Sequence, residues 1–210
     1  MEIHAPDHPI TGWKDTVRHL AIITAGILIA LALEGVVSWL DHRMLVREAV
    51  ANLTEEIRNN KTHLDGMFAR LEAEQEQLQR ADEIALQLLQ QKPLGRGEMK
   101  LEAPGVELKN AAVTTGQITG AFGYMNYEAV SRYANVYDYQ AQFMRLQERE
   151  SQNFEAILAF IPRLYGSSPP SPAALEEWRG RISIAGAGIY IREQMGRQLQ
   201  KRYEELLAAR

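Results

Sequence analysis

Apolar residues form one continuous run near the start of the chain. Residues 20–40 read LAIITAGILIALALEGVVSWL, in which 16 of 21 residues are Ala, Val, Ile, Leu or Trp and the one charge is Glu34. As a helix this run is roughly 31 Å long, about the thickness of a hydrocarbon core. We therefore predict a transmembrane helix over 19–40, preceded by an N-terminal tail over 1–18.

A cleaved signal peptide and a buried core helix are the alternatives for this run. Ala30-Leu31-Ala32 has the small-x-small form of a cleavage site. Hydrophobicity resumes after Glu34, however, and the whole run fits a membrane span whereas the part before Ala32 is too short. A retained span is the favoured interpretation.

Behind this run, apolar residues recur at alternating steps of four and three from Val46 to Leu88. Such a heptad stripe predicts one long helix over 41–91, ended by Pro93 and the pair Gly95/Gly97. The stripe consists of Val46, Val50, Leu53, Ile57, Asn60, Leu64, Met67, Leu71, Glu74, Leu78, Ala81, Ala85 and Leu88.

Two further long helices are predicted downstream. Residues 127–161 carry a second stripe that Pro162 ends, and 173–209 carry a third, capped by Ser171 with Pro172 in the first turn. Residues 107–125 predict a short helix or a helix–turn. Their glycines are not in GxGxxG order and follow no strand, which argues against a nucleotide-binding loop.

These elements predict an all-α protein: a transmembrane helix that continues into a long helix, packed in an elongated antiparallel helical bundle over 41–210. Four stripe positions are polar, and such residues often fix register: Asn60, Glu74, Glu150 and Arg192. If the helix 127–161 descends beside the first and the last helix climbs again, Arg192 meets Glu74, with Glu150 as the rival partner.

Composition narrows the classes of function. The 210 residues carry a net charge of −4. The chain therefore lacks the overall positive charge expected of a nucleic-acid-binding protein. Without cysteine, the chain has no disulfide, thiolate metal site or Cys nucleophile. We recognise no catalytic, metal or cofactor constellation, and the adjacent acids Glu55/Glu56 and Glu176/Glu177 are interpreted as solvated charges.

Glu34 lies on a strip of small and polar residues spaced by four: Gly26, Ala30, Glu34 and Ser38. Such a strip suits close helix association, with the carboxyl group hydrogen-bonded across an interface. A hydrated carboxyl group near the membrane surface and a proton path are the alternatives.

Tyrosines are concentrated between residues 124 and 139. Tyr124, Tyr127, Tyr133 and Tyr137 could form a ligand pocket or a partner-binding face. The alternative, favoured because helical spacing alone explains it, is that they fill the membrane-distal end of the bundle. An enclosed pocket lined by Tyr124, Tyr133 or Tyr137 would indicate ligand sensing, and a filled core would indicate scaffolding.

Several segments resemble a group of uncharacterised bacterial single-pass membrane proteins with an N-terminal anchor and a helical domain of unknown function. The resemblance covers Gly26 to Leu31 with Arg43 and Glu48, and more loosely Thr115-Gly116, Tyr124-Met125 and the Tyr133/Tyr137 spacing. It implies a bacterial origin and an anchored topology, and it assigns no catalytic or binding residue.

The expected function is that of a membrane-anchored helical interaction or scaffold protein, not an enzyme. A ligand-sensing or transport-accessory bundle with a Tyr-rich distal site is the alternative. The expected partners are the lipid bilayer and either a second copy or another membrane protein, with no nucleic acid. We expect the bacterial inner membrane, with the C-terminal domain in the periplasm because long domains translocate largely regardless of charge.

Overall fold

The computed structural model describes residues 12–92, 99, 101–102, 105–166 and 168–209, and every regular element among them is helical. The elements are α1 Trp13–Phe68, α2 Leu71–Leu89, α3 Ala111–Ile118, a 3₁₀ turn Ala121–Tyr124, α4 Tyr127–Leu158, α5 Ile161–Leu164 and α6 Pro172–Ala208. The chain divides into two compact units, which end and begin at Glu48 and Ala49.

The first unit is the N-terminal part of α1. It contains the one helix among the described residues that is long and apolar enough to cross a membrane, and none of its apolar window is buried. Apolar side chains from Leu20 to Leu40 are about half exposed or more. At the C-terminal side of the run, the guanidinium of Arg43 lies 5.2 Å from the ring centroid of Trp39.

In the second unit, the heptad stripe of the first long helix is the buried face, as predicted. Leu53, Ile57, Leu64 and Met67 are fully buried in α1, and the stripe continues into α2 with these buried residues: Leu71, Leu78, Ala81 and Ala85.

The prediction of one unbroken helix to residue 91 is wrong at Ala69 and Arg70, which form a turn between α1 and α2. Alanine and arginine both favour helix, so the types of these two residues do not predict a turn here. Arg70 donates from Nη2 to the carbonyl of Gly105 at 3.1 Å. The predicted stop at Pro93 and Gly95/Gly97 lies outside the described residues.

An extended return segment (residues 101–102 and 105–110) runs back along α2 and α1. The amide of Glu102 donates to Gln77, the carbonyl of Glu107 contacts His63, and Lys109 pairs with Asn60. The four residue steps from Gly105 to Lys109 therefore match the ten from Asn60 to Arg70, since extended backbone advances about 3.3 Å per residue against 1.5 Å in a helix.

The return segment already brings the chain back along α2 and α1, so α4 runs in the same direction as these two helices. Tyr137 bonds to Glu56; three residues further along α4 and four further along α1, Gln140 bonds to Asn60. The assumption that the helix 127–161 descends is therefore wrong, and α1–α2 and α4 are not antiparallel neighbours.

Helix α6 runs opposite to α1, α2 and α4. Arg179 pairs with Asp82 in α2 at 2.8 Å, and the C-terminal Gln200 donates to Asp65 in α1. Against α4, Trp178 donates to the carbonyl of Ile157. The assumption that the last helix climbs is therefore also wrong.

The helix ends are set by local chemistry. Ser171 caps α6 by accepting from the amide of Ala174, with Pro172 in the first turn, as predicted. Pro162 does not end the second long helix: α4 already stops at Leu158, and Pro162 lies in the first turn of the short helix α5, where its missing amide hydrogen costs nothing.

Candidate functional site

A buried charged triad joins α2, α4 and α6. Arg192 is fully buried, and the side chains of Glu74 and Glu150 are only 11% and 12% exposed. Nη2 of Arg192 donates to Glu74, and Nη1 donates to Oε2 of Glu150 at 3.2 Å. The predicted pair of Glu74 and Arg192 is confirmed, and Glu150, the rival partner, also binds Arg192.

The triad carries one cation and two carboxyl groups. Burial raises the pKa of Glu150, Arg192 lowers it and the neighbouring Glu74 raises it again, with a net pKa of about 7. Oε1 of Glu150 and Nε of Arg192 have no hydrogen-bond partner among the described residues. Both residues line a small cavity of about 20 Å³ beside Leu101 and Glu102.

Glycine in α6 allows the close approach of α4 at this triad. A Cβ atom on Gly188 would lie 2.9 Å from Oε1 of Glu150, whereas one on Gly186 would have nothing within 4 Å. The two glycines therefore differ, because only Gly188 is required by a contact.

We expect Gly186→Ala to raise the free energy of unfolding by about 0.5–1 kcal/mol, because Ala favours an open helix position. Gly188→Ala should lose that gain, since its methyl group displaces the Glu150 carboxyl group. Thermal melting of the detergent-solubilised full chain tests this. Equal stabilisation by both substitutions would contradict the close contact at Gly188.

A second polar layer lies in the core between α1, α4 and α6. Asn60 pairs with the backbone of Lys109 in both directions, each bond 2.8 Å long. Its amide also donates to Gln140, whose Oε1 accepts from the Tyr203 hydroxyl at 2.6 Å. Burial raises the pKa of Tyr203, so this hydroxyl stays a donor. Asn60 in α1 therefore binds both the return segment and α4.

Sequence reasoning missed two amides in these contacts. Gln140 is buried, and Gln147 holds the return segment through the amide and the carbonyl of Val106 at 2.7 and 3.1 Å. Their spacing of seven on α4, at positions next to the apolar stripe, is the one signal that the sequence carries for them.

Glu56 is not the solvated charge that its sequence suggested. Oε1 accepts from the hydroxyl of Tyr137 at 2.7 Å, and Oε2 accepts from the amide of Ala112 at 2.9 Å. Burial raises the pKa of Tyr137, and the Glu56 carboxylate raises it further. Glu56 thus joins α1 to the start of α3 and to α4.

The four candidate tyrosines do not form one face. Tyr137 is buried, Tyr133 is partly buried, and Tyr124 and Tyr127 are 53% and 84% exposed. The predicted distal position is wrong for the second unit: the bond to Glu56 places Tyr137 near the end of this unit at which the chain enters it.

Two of these tyrosines line a side groove of about 560 Å³ between α4, α3 and the return segment. Its volume lies in the range of small-molecule sites. Its polar side chains are Asn110, Thr114, Gln117, Tyr133, Tyr137, Asp138, Gln140 and Arg145, and its apolar ones include Leu108, Val113, Phe122, Val130 and Met144. Tyr124 is not part of it.

In the first unit, α1 carries the strip Gly26, Ala30, Glu34 and Ser38, and all four residues are exposed. A Cβ atom added at Gly26 would meet nothing within 4 Å. The strip therefore leaves room for a second helix.

No protein-family model, curated protein or solved structure matches this chain. The resemblance to bacterial single-pass proteins consequently stays a prediction. Among the residues that the structure describes, no three His, Asp or Glu side chains are grouped so as to hold a metal ion. The fold and the sites define an all-helical protein with one candidate membrane-spanning helix.

Proposed function

We propose that this protein is a membrane-anchored helical interaction protein, with residues 19–40 as a retained transmembrane helix in a bacterial inner membrane and the 41–210 domain in the periplasm. The observation that carries the proposal is the contrast between the two units. The second unit buries its apolar stripes in its own core, whereas the apolar run of the first is exposed on every side.

An exposed apolar helix of this length is stable in a bilayer, where its backbone groups are satisfied internally. Membranes that contain the full-length chain should therefore retain it after carbonate and high-salt washing. Release of a soluble species that begins near Leu33 would instead identify Ala30-Leu31-Ala32 as a cleavage site and would contradict the anchor.

We propose that the strip Gly26, Ala30, Glu34 and Ser38 forms the contact with a second copy or another membrane protein. Gly26 supports this role because it has open space around it, and small residues let two helices approach closely.

Glu34→Leu and Gly26→Leu should each reduce the cross-linked oligomer or the recovery of a partner by several-fold. Gly35→Leu is the matched control, since Gly35 also has open space around it but lies next to Glu34 and off the strip. Equal losses in all three variants, or none in the strip variants, would contradict the proposed interface.

The groove favours ligand binding as a second candidate function. It is lined by both apolar and polar side chains, as small-molecule sites are. A thermal-shift screen of the full chain against amphipathic small molecules tests this role. Stabilisation that is lost in Tyr133→Ala and kept in Tyr190→Ala, a control in the exposed part of α6, would support it. No stabilisation by any compound would count against it.

A further inference from the structure

Helix α6 has a second face, opposite the one that it buries in the second unit. Its buried residues include Trp178, Ile182, Ile189 and Arg192. Seven other residues between 180 and 194 are exposed, and none of them carries a charge. Helical spacings of three, four and seven residues relate them, so they lie on one side of the helix. We define them as the outer face: Gly180, Ser183, Ile184, Ala187, Tyr190, Ile191 and Gln194.

The outer face exposes large apolar side chains in the middle of a long helix. Ile184 and Tyr190 are each 62% exposed, and Ile191 is 47% exposed. The solvent side of a surface helix usually carries charged and polar residues, and a contiguous apolar surface marks an interaction site. All these residues belong to the second unit, so the first unit does not enter the argument.

Charged residues begin where the outer face ends, and their sign differs between its two ends. Ion pairs within α6 lie at both ends, and one partner of each pair is more exposed than the other. At the beginning the more exposed partners are acidic, Glu176 and Glu177. At the end they are basic, Arg197 and Lys201. A partner for this face therefore needs the opposite order of charges.

A second copy of the same face supplies that order when the two helices run antiparallel and cross at Ala187. In a two-fold contact, residues equally far before and after the crossing point lie opposite each other. Residues seven apart form one edge of the face: Glu176, Ser183, Tyr190 and Arg197. To within one residue, Ser183 lies opposite Tyr190 of the second copy, a small side chain against a large one. Glu176 lies opposite Arg197, so opposite charges meet at both ends.

The rest of the outer face matches in the same arrangement. Ile184 lies opposite Ile191, so aliphatic side chains meet along the other edge. Between the edges, Gly180 lies opposite Gln194, and Ala187 lies opposite itself at the crossing point. Small residues there let two helices approach closely. A parallel pair would instead place like charges together at each end, which is unfavourable.

We propose that the outer face of α6 binds the same face of a second copy of this chain, as an antiparallel two-fold dimer. Ile184, Tyr190 and Ile191 gain by leaving water, and the charges at the two ends set the direction of the pair. One helix per copy buries less area than a standard interface, so we expect a weak, concentration-dependent dimer. The strip in the first unit is a separate surface, and the dimer does not depend on it.

Site-specific cross-linking of the full-length chain in mild detergent tests the dimer, since the chain has no native cysteine. The variant Ala187→Cys, treated with a short bismaleimide, should give a cross-linked fraction several-fold above that of Glu83→Cys, an exposed control position in α2. Cross-linking at Ala187 that equals the Glu83 value would overturn the inference. A product that joins Ala187→Cys to a different protein in membranes would also overturn it.

The direction of the pair has its own test. A mixture of Ile184→Cys and Ile191→Cys chains should cross-link several-fold more than either variant alone, because these two positions are opposite each other only in the antiparallel pair. Stronger cross-linking within each single variant than in the mixture would indicate parallel helices and would overturn the inference.

Charge reversal tests whether the two ends of the face bind each other. In the Ala187→Cys chain, Glu176→Arg should lower the cross-linked fraction several-fold, and the further change Arg197→Glu should restore it. Both side chains are more than half exposed, so melting temperatures should change little in either variant. A loss in Glu176→Arg that Arg197→Glu does not reverse would contradict the self-complementary contact.

Discussion

Arg192→Met should lower the free energy of unfolding by about 3–5 kcal/mol, the usual cost of removing one partner from a buried ion pair. The loss arises because Glu74 and Glu150 keep their burial but lose the guanidinium that both contact. For a unit of this size the melting temperature should fall by about 6–20 °C. Melting of the full chain in mild detergent measures it.

Arg197→Met is the matched control on the same helix. Arg197 pairs with Glu193 at the surface, its side chain 58% exposed, and such pairs contribute well under about 1 kcal/mol. A change below about 1 kcal/mol in Arg192→Met would contradict a stabilising role for the triad, since buried pairs that lose a partner cost more.

Removing the carboxyl charges together with Arg192 should recover much of the loss. The triple variant Glu74→Gln, Glu150→Gln, Arg192→Met leaves no unpaired buried charge, and apolar replacement of a buried ionic cluster is often neutral. A triple variant as unstable as Arg192→Met alone would show that the packing of the arginine side chain, and not its charge, is what the core requires.

Periodicity predicted the helices and their buried faces because both follow from local spacing. Leu53, Ile57 and Leu64 are buried where the stripe of fours and threes places them, and the same spacing identified Arg192 as an inward-facing residue of α6. Such patterns persist along a helix whatever packs against it, so tertiary structure was not needed to find them.

Helix direction could not be obtained in this way. Counting residues along the predicted helices placed Arg192 at the same height as Glu74, and the pair exists. Both α4 and α6, however, run opposite to the directions that this count assumed. The reason is the return segment, which covers in a few extended residues a distance that a helix covers in more than twice as many. Its sequence alternates apolar and polar residues over only four positions, 106–109, and its backbone is held by the side chains of Asn60, Gln147 and Arg70.

The candidate sites were predictable only in part for a similar reason. The polar stripe residues stand out because each interrupts an apolar pattern, and three of them form the triad. The tyrosines lie on several faces of α4 and the 3₁₀ turn, so their exposure depends on what α3 and the return segment cover. Gln140 and Glu56 looked like surface residues because their partners are remote in sequence.

The pH dependence of stability should report directly on Glu150. Its folded pKa of about 7 lies above the ordinary value of 4.5, so between these values the folded chain binds more protons than the unfolded one. The contribution of Glu150 is therefore fully present below about pH 4.5 and is lost as pH rises through about 7. We expect a loss of about 2 kcal/mol from this group, since each pKa unit corresponds to about 1.4 kcal/mol and relaxation around a buried charge reduces the full effect.

Glu150→Gln should flatten this part of the profile, because the amide does not titrate and still accepts a hydrogen bond from Arg192. Glu148→Gln, at an exposed position on the same helix, is the control and should keep the wild-type slope. Melting temperatures of the three proteins between pH 5 and pH 8 measure the effect. A Glu150→Gln profile parallel to the wild type would show that this carboxyl group does not titrate there.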